Sequence, residues 1–149
     1  MATITATISV SSDILTYPVN ISKTMTMSKS ANPSIGLDET TGLRTKKFTT
    51  TTDAVIVEAD ELTSSAGTEA HKVYIRNAST SKANFFYVSY NAGTADATTT
   101  EPIGKLYGGD WMLMPYNGGT NISVASSTAS ETQYLEYMVF ADGIVAAKG

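Results

Sequence analysis

From residue 3 to residue 10, apolar and hydroxyl side chains alternate without a break. Ile4, Ala6, Ile8 and Val10 fall on one side, and Thr3, Thr5, Thr7 and Ser9 on the other. A period of two belongs to a half-buried strand. A second alternation sets Val19, Ile21, Lys23, Met25 and Met27 against Asn20, Ser22, Thr24, Thr26 and Ser28. Further strands are predicted at 45–52, 54–57, 71–78, 84–90, 120–125 and 132–141, each with Gly, Pro, Asn, Asp or Ser at one end or both. The stretch 103–119 reads as strand, hairpin, strand, turn. Gly108-Gly109-Asp110 supplies the hairpin, and Pro115 with Asn117-Gly118-Gly119 ends the second strand. The link 79–82 is short enough for another hairpin. No segment keeps a helical period. The chain is therefore expected to be all-β: a single antiparallel β-sandwich or jelly-roll-like domain over 1–149, with an extended N-terminal segment.

Two strands lack a wet face. On 84–90, Phe85 and Tyr87 oppose Phe86, Val88 and Tyr90; on 132–141, Tyr134, Met138 and Phe140 oppose Leu135, Tyr137 and Val139. A sandwich strand ordinarily keeps one face polar where water touches it. Either the N-terminal segment folds back over the outer face, or a second subunit covers it, since aromatic residues and Met gather at interface cores. Phe86, Val88, Tyr90, Tyr134, Met138 and Phe140 are the candidate interface residues, and a homo-oligomer is the expectation. The weakly patterned stretch 29–42 is too long for an ordinary connection, which makes it a functional loop or an arm within an extended segment at 28–52.

Composition narrows the chemistry. With 149 residues and 42% hydrophobic content the chain can bury a real core. Only 16% is charged, against about 25% in typical domains, and Ser with Thr make up roughly a quarter. A net charge of −4 argues against wrapping nucleic acid, which needs clustered cations. The one basic cluster, Arg44, Lys46 and Lys47, reads as a solvated loop or edge strand. Cysteine is absent, which excludes disulfides and thiolate metal sites. The N-terminus lacks the basic and apolar regions of a secretory signal, and no window reaches the roughly 18 apolar residues of a membrane helix.

Few residues are candidates for catalysis or ligand binding. His71 is the sole histidine, and it lacks a marked acid partner, so a surface or edge position is expected. The acidic run Glu58-Ala59-Asp60-Glu61 lacks the glycine and spacing of a calcium loop and reads as a solvated turn. No dinucleotide or phosphate-loop pattern occurs, and no cofactor is expected. Trp111, the only tryptophan, is the predicted core anchor. A sugar-stacking platform of Trp111, Tyr107 and Tyr116 is the alternative.

The segments K-V-Y-I-R-N-A-S at 72–79, F-F-Y-V-S-Y at 85–90, I-G-K-L-Y-G-G-D-W at 103–111 and Y-L-E-Y-M-V-F-A at 134–141 resemble the bodies of small tailed-bacteriophage head and tail proteins. The resemblance covers the second half of the chain. It implies a non-enzymatic virion protein made in the host cytoplasm. The implied role is a capsid decoration (cement) protein seated on the major capsid protein lattice. Such proteins are often trimers whose arms reach neighbouring capsomers, so a trimer is favoured. A tail-tube or neck ring subunit and a carbohydrate- or receptor-binding module are the alternatives.

Overall fold

The computed structural model describes residues 3–13, 19–28, 39–59, 61, 71–91 and 102–141. Among the described residues eleven strands follow one another: β1 (Thr3–Ser12), β2 (Val19–Ser28), β3 (Glu39–Thr40), β4 (Arg44–Phe48), β5 (Ala54–Val57), β6 (His71–Asn77), β7 (Phe85–Asn91), β8 (Pro102–Tyr107), β9 (Trp111–Tyr116), β10 (Asn121–Ser126) and β11 (Gln133–Ala141). The alternating segments became strands nearly where their period placed them.

The last eight strands form two antiparallel sheets. One runs β4-β11-β6-β9, with β3 continuing beside β4, and the other runs β5-β10-β7-β8. Numbered one to eight from β4, the orders are 1-8-3-6 and 2-7-4-5. That is the jelly-roll topology, an all-β sandwich of two antiparallel sheets. Its core lies between the sheets. Val73, Ile75, Leu135 and Val139 from one sheet meet Val57, Phe86, Val88, Ile122 and Val124 from the other, all at 0–1% exposure. Phe86 meets Phe48 edge-on, with ring centroids 5.0 Å apart.

Both expected hairpins prove to be corners between sheets. β8 pairs with β7 and β9 with β6, so Gly108-Gly109-Asp110 carries the chain across the sandwich; the link 79–82 does the same between β6 and β7. Asn77, fully buried, joins the two corners. Its side chain donates to the Leu106 carbonyl at 2.9 Å and accepts from the Ser79 amide at 3.0 Å. Its backbone carbonyl accepts from the Gly109 amide, and its amide donates to the Asp110 carbonyl, both at 2.9 Å. Four bonds at one buried amide residue therefore hold the crossing, where an unpaired group would be costly.

The arm or long loop expected within 28–52 falls largely outside the described residues. Residues 29–38 lie outside the described residues, but β3 and β4 belong to the sandwich as an edge of β11. Thr40 is opposite Phe140 and Arg44 opposite Tyr137, so the edge carries one extra residue. This is a bulge, with Gly42 at φ 72° supplying the left-handed turn that other residues resist. β4 is the strand expected at 45–52, shorter than its pattern and beginning one residue earlier. Within it, Lys46 donates to the Val55 carbonyl at 3.1 Å, and Arg44 pairs with Glu61 of the acidic run.

What stands apart instead is β1–β2. These strands pair with each other over ten residues, from Thr3 opposite Ser28 to Ser12 opposite Val19. Among the described residues they join neither sheet. The Thr7 and Thr24 hydroxyls bond across the hairpin at 3.1 Å.

Candidate functional site: the outer sheet face and its hairpin

The even positions of β11 and β6 and the odd positions of β9 build the outward face of the β4-β11-β6-β9 sheet. Register sets them in rows: Glu136, Arg76 and Trp111; Met138, Tyr74 and Leu113; Phe140, Lys72 and Pro115. Arg76 donates to Glu136 at 3.2 Å, an exposed pair that adds little stability. Tyr74 and Trp111 lie diagonally, with ring centroids 6.5 Å apart and planes tilted by 35°. The β1–β2 hairpin leans over this face, and Ala6 packs beside Phe140, Tyr74 and Met138. Between hairpin and sheet an open groove of about 1010 Å³ remains, floored by Tyr74, Trp111, Leu113 and Met138 and walled by Thr5–Ile8.

The six candidate interface residues do not share one surface. Tyr134, Met138 and Phe140 share the outer face, Tyr134 exposed and Phe140 nearly covered. The N-terminal segment does fold back, but it covers only one end. Phe86 and Val88, by contrast, are core residues at 0% exposure. β7 lies inside its sheet, between β10 and β8, and turns its even positions inward. Its outward face carries Phe85 and Tyr87, both half-buried, with the Lys105 ammonium 4.7 Å from the Phe85 ring centroid. Tyr90 sits 39% exposed near the end of β7, where its hydroxyl donates to the Pro115 carbonyl at 3.0 Å.

Trp111 is not the core anchor. It is 49% exposed, because β9 turns Met112, Met114 and Tyr116 inward and begins on its outward register. Trp111→Ala is accordingly expected to change stability by less than about 1 kcal/mol, as surface substitutions do. Thermal unfolding checks this: a loss near the 3–5 kcal/mol of a buried tryptophan would return the ring to the core. The stacking trio does not assemble either. Tyr116 is buried, and Tyr107 and Trp111 project from the outer faces of different sheets.

His71 corrects another expectation. It is 3% exposed, its ring edge-on to Tyr116 at 5.8 Å and close beneath Gly118, so it is a core residue, not a surface one. Among the described residues no group of three or more His, Asp or Glu is arranged to hold a metal ion. What the site offers is apolar and aromatic surface with hydroxyls at its margin, a chemistry suited to docking.

No protein-family model and no curated protein sequence matches the chain. Among solved structures, a chain from Bacillus endospore appendages, described as a novel family of disulfide-linked pili, is similar to it. The match covers 70% of this chain and 91% of that one, at 13% identity and a TM-score of 0.42.

Proposed function

We propose that the chain is a non-enzymatic structural subunit of a tailed-phage virion, specifically a capsid decoration protein that binds the major capsid protein lattice. The observation that carries this reading is the hairpin. It is an amphipathic, almost uncharged ribbon set apart from the sandwich, with Ile8, Val10 and Ile21 each 44–46% exposed. Beside it Trp111 and Leu43, both exposed, line the same groove and extend the uncovered apolar surface. Apolar surface so gathered marks a place where other subunits bind. A jelly roll alone does not select this role, since lectins and enzymes share it. Shallow contacts repeated over a symmetric shell add by avidity, which makes strong individual bonds unnecessary.

A tail-tube or neck ring joined edge to edge is disfavoured by the sandwich edges. β4 carries Arg44, Lys46 and Lys47, and Pro102 and Pro115 lie in β8 and β9, features that block strand addition.

The test is co-sedimentation of the purified chain with capsid shells of the particle whose genome encodes it. Saturable binding is expected, and it should fall at least roughly tenfold when Ile8 and Ile21 are both changed to aspartate, since burying a charge costs more than 1.4 kcal/mol. Absence of binding by the unaltered chain, or equal binding by the variant, would contradict the proposal.

A further inference from the structure

The sandwich guards its strand edges, and the hairpin does not. Natural sheets blunt an open edge by charge, proline or short length. β4 has its cations, β8 and β9 their prolines, and β5 is only four residues long. β1, by contrast, runs ten residues, T-I-T-A-T-I-S-V-S-S, without a charge, a proline or a glycine. Among the described residues it pairs only with β2. Thr5, Thr7, Ile8, Ser9 and Val10 are exposed. A two-stranded ribbon is marginal in water, and three or more strands are needed for a stable sheet.

We infer that β1 is a strand-addition edge for a second copy of this chain: two β1 strands lie antiparallel across a twofold axis at Thr7, making a four-stranded sheet β2-β1-β1-β2. The sequence of β1 selects that register. With Thr7 on the axis, Ala6 is opposite Ile8 of the second copy, Ile4 opposite Val10, and Thr5 opposite Ser9. Every apolar position then meets an apolar one. A slip of one residue sets Ile8 against Thr7 and mismatches the whole strand, because the side-chain period is two. Moving the axis to Ile8 restores the parity but leaves Ile4 opposite Ser12. The β2 edge is the poorer choice, since it carries Lys23. An isologous contact of this kind closes on itself, so a dimer becomes the elementary unit, in place of the trimer that the sequence resemblance implies. The inference rests on the assembly reading above and specifies one of its contacts.

Because the chain has no cysteine, single substitutions report the pairing directly. Directly opposed residues of antiparallel strands have Cβ atoms about 4.5–5.5 Å apart, close to disulfide spacing. Under mild oxidation Thr7→Cys is expected to form a covalent dimer roughly tenfold faster or more than Thr24→Cys, which lies one strand away from the new edge. Mixed Thr5→Cys and Ser9→Cys chains are expected to cross-link to each other in preference to themselves. Equal rates for Thr7→Cys and Thr24→Cys, or a statistical mixture of Thr5→Cys and Ser9→Cys products, would overturn the inference. So would capture of a shell subunit by Thr7→Cys in place of a second copy. If the cross-link fails while the chain still binds shells, the edge contact falls and the decoration reading stands. If it forms while shells are not bound, the reverse holds.

Discussion

Phe86→Ala is expected to cost about 3–5 kcal/mol, enough to unfold much of a domain whose whole stability is of order 5–15 kcal/mol. Phe86 is fully buried in a central strand of its sheet, opposite Leu106 on β8 and edge-on to Phe48 of the other sheet. Its removal loses the transfer free energy of the ring and leaves a cavity that two hydrogen-bonded sheets cannot close. Urea denaturation followed by tryptophan fluorescence measures the loss. A cost below about 1 kcal/mol would mean that the sheets collapse around the gap and that the core is not organised by this ring. Set beside the near-neutral Trp111→Ala, the experiment decides which aromatic residue the sandwich is built on.

Gly108→Ala is the second large effect. A Cβ at this position would lie 2.2 Å from the Ser81 carbonyl oxygen and 2.8 Å from that of Ser79. Both obstacles are backbone, so no side chain can swing away. The two corners must separate, and with them the bonds from Asn77 to Gly109 and Asp110 that tie one crossing to the other. Overpacking and lost buried hydrogen bonds together give an expected cost of about 3 kcal/mol or more, which for a chain of this length lowers the melting temperature by about 10 °C. Gly104→Ala, on the neighbouring strand, is the control. Nothing lies within 4 Å of a Cβ there, so its effect should stay within about 1 kcal/mol. If both variants melt alike, the corner contact is not what holds the crossings.

These residues also show what was legible in the sequence. Period-two alternation located β1, β2 and β6, where apolar positions alternate with hydroxyl-bearing or largely polar ones, whereas β11 showed itself as a strand apolar on both faces. The sandwich or jelly-roll class followed from the strand spacing. The connections did not follow, because Gly108-Gly109-Asp110 is as good a sheet-to-sheet corner as a hairpin. The residue that decides between them, Asn77, is a polar side chain that by composition belongs on the surface. Its burial becomes favourable only once Leu106, Ser79, Gly109 and Asp110 converge on it. Trp111 was misplaced for a related reason. In W-M-L-M every position is apolar, so the pattern cannot say which two face the core; register with β6 gives it to the methionines. The same ambiguity on β7 exchanged Phe86 and Val88 for the outward pair Phe85 and Tyr87. The unguarded edge of β1, in contrast, was written plainly in its composition, and it gains meaning only when every other edge is seen to be defended.

On the proposals above, this chain associates through its hairpin and outer sheet face. The most direct test is the mass of the purified protein in dilute solution, by light scattering behind a sizing column. A species of twice the 15.8 kDa chain mass is expected, returning to one chain mass when Ile8 and Ile21 are both changed to aspartate. A clean monomer at micromolar concentration, unaffected by those changes, would contradict it.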